Sequence, residues 1–148
     1  MAKVSKSADM GAAPGQVWQV AVDLPRYADW FVPHEGFAGE VPATLGEGTS
    51  YRQRVKLMGQ SAEVTWRVAT ATAPSRLEAA GSAPMGVKAQ SRILIEPAGA
   101  GSRITLEMEF SGAVLVGPMG RAVESQVGTA LEESLDKLNA LLDGATKS

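Results

Sequence analysis

The segment PMGRAVESQVGTALEESLDKLNALLDG, residues 118–144, carries apolar side chains at every third or fourth position. This spacing places them along one face of a helix. Pro118 suits a first helical turn and Gly144 a position just past the last one, so the sequence predicts a helix over residues 118–143. That helix would be about 39 Å long. Its apolar face consists of Met119, Val123, Val127, Leu131, Leu135, Leu138 and Leu142.

The chain before this helix mostly has the two-residue periodicity of β-strands. Within residues 49–57 the side chains of Arg52, Arg54 and Lys56 alternate with a more apolar row, and residues 103–111 show the same alternation. One apolar face per strand is typical of an antiparallel sheet with its other face in water. Further strands are predicted over residues 3–10, 37–41, 62–68, 77–79 and 87–96.

Two short helices are predicted between the first two strands. Pro14 fits the first turn of one helix, in which Val17 and Trp18 follow at helical spacing. The second helix, over about residues 25–31, ends before Pro33, because a proline disfavours helical backbone in the residue before it.

This order of elements predicts an α+β fold. An antiparallel sheet with one apolar face must cover that face, and the C-terminal helix is the element long enough to do so. We therefore expect a curved antiparallel sheet of about seven strands wrapped around the long helix, known as the helix-grip fold. A space left between sheet and helix would be an internal cavity, where small molecules commonly bind.

A resemblance to a known superfamily rests on several short segments. They are Ala13-Pro14, Val17-Trp18, DLPRYADW at residues 23–30, GEGT at residues 46–49 and GPMG at residues 117–120. With these segments the chain resembles the START/Bet v 1-like superfamily, also called SRPBCC or polyketide cyclase/dehydrase-like. The resemblance extends over nearly the whole chain and implies a single domain over residues 1–148.

This resemblance implies more about fold than about function. The superfamily includes carriers of hydrophobic ligands, aromatic cyclases, hormone receptors and coenzyme-Q-binding proteins. The chain is most similar to short bacterial members, some of which are described as toxins of toxin–antitoxin pairs.

Composition narrows the function classes. The 148 residues fit one domain and include no cysteine, which excludes disulfides and thiolate metal sites. The net charge of −2 gives no general basic surface for nucleic acid, and the alternating Arg52, Arg54 and Lys56 are interpreted as a solvated strand face. No signal-peptide pattern or membrane-length apolar run is present, so a cytoplasmic protein without a membrane span is expected.

Few residues suit catalysis. His34 is the single histidine, and without cysteine no Ser–His–Asp or Cys–His set can be assembled with confidence. The catalytic candidates are His34, Tyr51 and Lys6, with neither metal nor cofactor expected. Lys6 falls on the apolar side of the first strand, where its ammonium group needs a partner, an anionic ligand or a path to water. His34 could equally be an ordinary loop residue.

The predicted ligand site combines apolar side chains with a few polar groups that would orient a ligand. The methionines suit a variable pocket because their side chains are flexible and polarisable. The loop over residues 81–86 could be a lid or a plain hairpin connection. The predicted ligand-binding residues are Trp30, Phe31, His34, Tyr51, Gln53, Val55, Val64, Trp66, Met85, Ala89, Ser91, Met108, Phe110, Met119, Val123 and Val127.

Three functions remain open from the sequence. The first is binding of a small hydrophobic ligand, either lipid-like or aromatic and polyketide-like, in the internal cavity. The second is a polyketide cyclase/dehydrase-type enzyme that uses the same cavity. The third is the toxin of a type II toxin–antitoxin pair, which acts through a protein partner. An antitoxin or a second copy of the chain would be the partners.

Overall fold

The structure, a computed structural model, describes residues 2–42, 45–57 and 59–147. Seven strands and three α-helices are found there, with short 3₁₀ turns before α2, β6 and α3. The strands are β1 (Ala2–Met10), β2 (His34–Ala38), β3 (Ser50–Leu57), β4 (Gln60–Thr72), β5 (Arg76–Ser82), β6 (Lys88–Ala98) and β7 (Gly101–Ser111). The helices are α1 (Pro14–Ala21), α2 (Tyr27–Trp30) and α3 (Pro118–Lys147).

The seven strands form one antiparallel sheet in the order β1-β7-β6-β5-β4-β3-β2. This confirms the predicted helix-grip architecture. Consecutive strands are neighbours from β2 to β7, and β1 then pairs with β7 at the far side of the sheet. The predicted alternation holds in β7, where Ile104, Leu106, Met108 and Phe110 are buried.

The long helix α3 covers the apolar face of the sheet. Its Val127, Leu131, Leu135, Leu138 and Leu142 are at most 3% exposed, as the predicted helical spacing requires. The backbone stays helical to Lys147, past the predicted end at residue 143. A glycine in a helix costs only about 1 kcal/mol relative to alanine, so Gly144 alone does not end it.

The second strand was predicted too late in the chain. It runs over His34–Ala38, whereas the sequence predicted residues 37–41. A register irregularity between His34 and Gly36 disrupts the two-residue alternation that would have identified its start. Gly39, with φ of 75°, turns the chain away after Ala38.

The other boundaries differ by a few residues. The second predicted helix is a 3₁₀ turn, Leu24–Arg26, followed by the four-residue α2. Strand β6 extends past its predicted end at residue 96, because Pro97 and Ala98 also pair with β7. Gly99, with φ of 57°, makes the tight turn that allows this.

Helix α2 is tied to α3 by one buried hydroxyl. Ser134 of α3 is fully buried, its Oγ accepts a 3.0 Å hydrogen bond from the Val32 backbone N–H, and it donates at 2.7 Å to the Ala130 carbonyl. The backbone just after α2 is thereby fixed to the long helix. This contact holds the aromatic residues of α2 over the interior.

Replacing Ser134 with alanine is expected to lower the free energy of unfolding by about 1–3 kcal/mol, because the Val32 N–H loses its acceptor. Urea denaturation measures this loss, and hydrogen exchange should show faster opening at the Val32 amide. Ser125→Ala, at an exposed position of the same helix, is the control and should change stability by less than about 0.5 kcal/mol. Unchanged protection of Val32 would contradict the proposed tie.

Candidate ligand site

A small, partly open space lies between the sheet, α2 and α3. Its volume is about 30 Å³, room for roughly one water molecule, so the interior is nearly filled in this conformation. The space is lined by Tyr27, Trp30, Phe31, Tyr51, Gln53, Trp66, Ser91, Arg92, Ile93, Leu106, Glu107, Met108 and Leu131.

The predicted ligand-binding residues separate into three groups. Those that line the space are Trp30, Phe31, Tyr51, Gln53, Trp66, Ser91 and Met108. Those that do not line it are the half-buried His34 and the buried Val55, Val64, Ala89, Phe110, Val123 and Val127. Met85 and Met119 lie at the surface, 78% and 47% exposed.

Sequence reasoning did not assign four apolar or aromatic lining residues to the site: Tyr27, Ile93, Leu106 and Leu131. Tyr27 lies three and four positions before Trp30 and Phe31, so its helical spacing could have placed it with them. Ile93, Leu106 and Leu131 follow the same periodicity as any other core residue. That periodicity does not distinguish the wall of a cavity from packed interior.

The indole of Trp66 fits the interior because a glycine faces it. Gly81 of β5 is the cross-strand partner of Trp66, and a Cβ atom there would lie 2.8 Å from Cε3 of the indole ring. The absent side chain thus leaves room for the indole against the sheet.

Three side chains from three strands form a hydrogen-bonded chain. The Trp66 Nε1–H donates to Oε1 of Gln53 at 2.9 Å, and Nε2 of Gln53 donates to Nδ1 of His34 at 2.9 Å. Because the indole can only donate, it fixes the orientation of the Gln53 amide. His34 is therefore a neutral imidazole that accepts at Nδ1 and carries its proton on Nε2. The 2% exposed Gln53 is satisfied at both ends of its amide.

Partial burial lowers the pKa of His34 from its ordinary value of 6.5. The hydrogen bond accepted at Nδ1 acts in the same direction, since a protonated ring would turn an N–H toward the Gln53 amide N–H. His34 is thus expected to stay neutral at physiological pH.

The free energy of unfolding should fall as the pH drops below 6.5. In that range the unfolded chain takes up a proton on His34 before the folded protein does, so protonation favours unfolding. The contribution of neutral His34 to the free energy of unfolding is fully present above pH 6.5. It declines as the pH falls from there to the lowered pKa of His34 in the folded protein. Denaturant titrations at several pH values measure the slope. His34→Asn, which keeps an acceptor for Gln53, should flatten it; an unchanged slope would contradict this origin.

Two tyrosines form a buried pair beside this chain. Burial raises the pKa of both Tyr27 and Tyr51, and their hydroxyl groups interact with each other. Neither becomes a phenolate at neutral pH, so they suit hydrogen bonding and not general-base catalysis. The Tyr27 ring also packs against Trp30 and Phe31, with ring centroids 5.6 and 5.8 Å apart.

The indole of Trp30 differs from that of Trp66 in its hydrogen bonding. Trp30 is 1% exposed and lines the space, yet its Nε1 has no hydrogen-bond partner. Within the part of the chain that the structure describes, it is the one buried side-chain nitrogen or oxygen without a hydrogen-bond partner. Such groups are rare because an unpaired buried donor is costly.

Lys6 lies outside this site. Its Nζ pairs with Oε1 of Glu132 on α3 at 2.8 Å, and its Cε passes 3.5 Å from the position a Cβ of Gly128 would take. The side chain is 36% exposed, so the stem covers α3 while the ammonium group reaches water and a carboxylate. Glu132 is thus the partner that the ammonium group of Lys6 was expected to need at this position.

The remaining chemistry of the chain is limited. Across residues 2–42, 45–57 and 59–147, no three His, Asp or Glu side chains are grouped so that they could hold a metal ion. No helix in those ranges combines the length and apolar character needed to cross a membrane. The lining of the space is mainly apolar and aromatic, with a few hydrogen-bonding groups.

Comparison with known proteins defines the class. A START superfamily protein from Mycobacterium smegmatis has a similar structure, with a TM-score of 0.74 at 22% identity over 97% of this chain and 98% of its own. The fold is therefore that of START-like proteins. The family described as "Polyketide cyclase / dehydrase and lipid transport" matches residues 1–143, and the chain belongs to it.

Two relatives from Mycobacterium tuberculosis are similar over nearly the full chain. The uncharacterized protein Rv1546 is 34% identical over 141 residues, which covers 95% of this chain and 99% of that protein. A protein named Toxin Rv0910 is 28% identical over 144 residues, which covers 97% of this chain and 100% of its own.

Proposed function

We propose that the chain binds one small, uncharged hydrophobic molecule, lipid-like or aromatic, between the sheet and α3. The observation that carries this proposal is the lining of the internal space, which consists mainly of aromatic and aliphatic side chains. Apolar walls supply affinity and a few polar groups supply orientation in sites of this kind.

The charges around the space favour a neutral ligand. Arg92 and Glu107 border it, but strand alternation puts their side chains on the opposite face of the sheet from Ile93 and Leu106. There Arg92 lies 3.8 Å from Glu107 and 3.1 Å from Glu78, so its charge is compensated by protein. A charged ligand inside would therefore lack a counter-ion, and burying an unpaired charge is costly.

Binding requires the interior to expand. A space of about 30 Å³ is far smaller than the few hundred Å³ of a typical ligand site. Helix α2 is the element suited to move, because it has only four residues. Its movement away from α3 would break the hydrogen bond between the Val32 N–H and Ser134 Oγ. The flexible Met108 side chain can adapt to the shape of the ligand.

Native mass spectrometry of freshly purified protein, followed by denaturing extraction, tests the proposal. We expect one bound apolar molecule per chain, or one molecule of the neutral dye Nile red taken up by empty protein. Absence of both, with the protein folded by circular dichroism, would overturn it. Dye binding that persists when Ile93→Trp fills the space would place the dye elsewhere and also contradict it.

A catalytic role has less support. The two tyrosines resist ionisation, His34 is held neutral, and Lys6 is paired outside the interior. If the chain were a cyclase, these groups would donate hydrogen bonds or relay single protons. Unchanged turnover of a polyketide substrate in His34→Ala, Tyr51→Phe and Lys6→Ala variants would exclude their catalytic roles.

A toxin function through a protein partner is the second candidate, and it is favoured by one observation. A protein named as a toxin is 28% identical to this chain over 97% of its length. Induced expression in the native host tests it: growth should slow and recover when a neighbouring small gene is co-expressed. Normal growth at a verified protein level would contradict the toxin function and leave the ligand proposal intact.

A further inference from the structure

The two buried tryptophans of the site differ in one hydrogen bond. Trp66 is 3% exposed and donates its Nε1–H to Gln53 at 2.9 Å. Trp30 is 1% exposed, and its Nε1–H has no acceptor in the protein. Both indoles line the same space. An indole nitrogen only donates, so the partner of Trp30 must be an acceptor.

Several neighbouring polar groups are already paired with one another. Oε1 of Gln53 accepts from Trp66, and Nδ1 of His34 accepts from Gln53. The buried hydroxyls of Tyr27 and Tyr51 interact with each other. None of these groups accepts a hydrogen bond from Trp30. A carbonyl oxygen of a bound molecule would supply the acceptor that its Nε1–H lacks.

We propose that the ligand presents an uncharged carbonyl oxygen to the Nε1–H of Trp30, with an apolar body against the remaining lining. This assignment rests on the proposed binding function and specifies its ligand class: hydrophobic ketones or esters, in preference to hydrocarbons or acids. Carboxylic acids are disfavoured because Arg92, the cation bordering the space, is paired with Glu78 and Glu107.

A matched ligand pair tests the carbonyl. α-Tetralone and tetralin share one bicyclic skeleton and differ by a carbonyl in place of a methylene group. Their dissociation constants are measured by calorimetry for the wild type, Trp30→Phe and Trp18→Phe. The control Trp18 is a partly buried tryptophan outside the lining. We expect the preference for the ketone over the hydrocarbon to fall about tenfold in Trp30→Phe and to stay unchanged in Trp18→Phe.

A spectroscopic measurement on the wild type keeps the test independent of variant folding. In the proton–nitrogen correlation spectrum, the Trp30 indole proton should move downfield with α-tetralone and much less with tetralin. If both ligands bind while that signal and the affinity ratio are unaffected, the carbonyl assignment is wrong and the binding function stands. A long-lived water that stays on the Trp30 N–H with ketone bound also overturns the assignment. If neither ligand binds, the carbonyl assignment fails, whereas the binding function is decided by native mass spectrometry and Nile red uptake.

Discussion

Replacing Leu131 with alanine should lower the free energy of unfolding by about 2–5 kcal/mol and strengthen the binding of small apolar molecules. Leu131 is fully buried on α3 and lines the internal space. Removing its side chain loses packing contacts and leaves a void, which here joins a space that already exists. An apolar ligand that fills the enlarged space should recover part of the loss, because it binds only the folded state.

Leu138 provides the matched control for this prediction. It lies on the same helix and is equally buried, but it does not line the space. Leu138→Ala should therefore lose a similar amount of stability. Urea denaturation with and without tetralin measures both effects, and the ligand should raise the midpoint of Leu131→Ala clearly more than that of Leu138→Ala. Equal rescue of both variants, or of neither, would contradict a ligand site beside Leu131.

Replacing Gln53 with leucine should cost about 2–4 kcal/mol, although leucine is apolar and similar in size. The change leaves Nε1–H of Trp66 and Nδ1 of His34 without their 2.9 Å partners in a buried region. The His34 pKa should stay below 6.5 in this variant, because burial lowers it and an apolar neighbour does not relieve that burial. Urea denaturation and a histidine titration by NMR measure the two effects.

A double-mutant cycle separates the hydrogen bond from general packing. In a Trp66→Phe background there is no indole N–H left to satisfy, so Gln53→Leu should cost less than it does in the wild type. The difference is expected to be about 0.5–3 kcal/mol, the range found for residues in direct contact. Strictly additive losses would show that the Trp66–Gln53 hydrogen bond contributes little.

The fold was predictable because burial is periodic in both kinds of element. The alternation in β7 and the helical spacing in α3 each follow from one face lying in the core and the other in water. The same argument placed Lys6 on the inner side of β1, although its charge is unfavourable there, and Glu132 explains how the position is tolerated. Strand β2 was misplaced where an irregularity interrupts the alternation.

The site was less predictable because a cavity depends on how side chains pack, which periodicity does not encode. Met85 was expected in the wall but lies on an exposed turn with φ of 64°. Met119 belongs to the first turn of α3 and is half-exposed. Tyr27 was recognised as part of a helix but not as a lining residue. The size of the space also could not be inferred, since it is set by how fully Trp30 and Trp66 fill the interior.

The pairing of β1 with β7 determines when the protein can complete its fold. Ser7 and Thr105 face each other across this ladder, with their hydroxyl oxygens 2.8 Å apart and 98 positions apart in the chain. During synthesis the first ten residues therefore emerge long before their partner strand exists, whereas the hairpins from β3 to β7 can form one after another. Closing such a long loop is entropically slow. We expect folding to be limited by this last docking step, with the N-terminal strand exposed to other chains until it occurs.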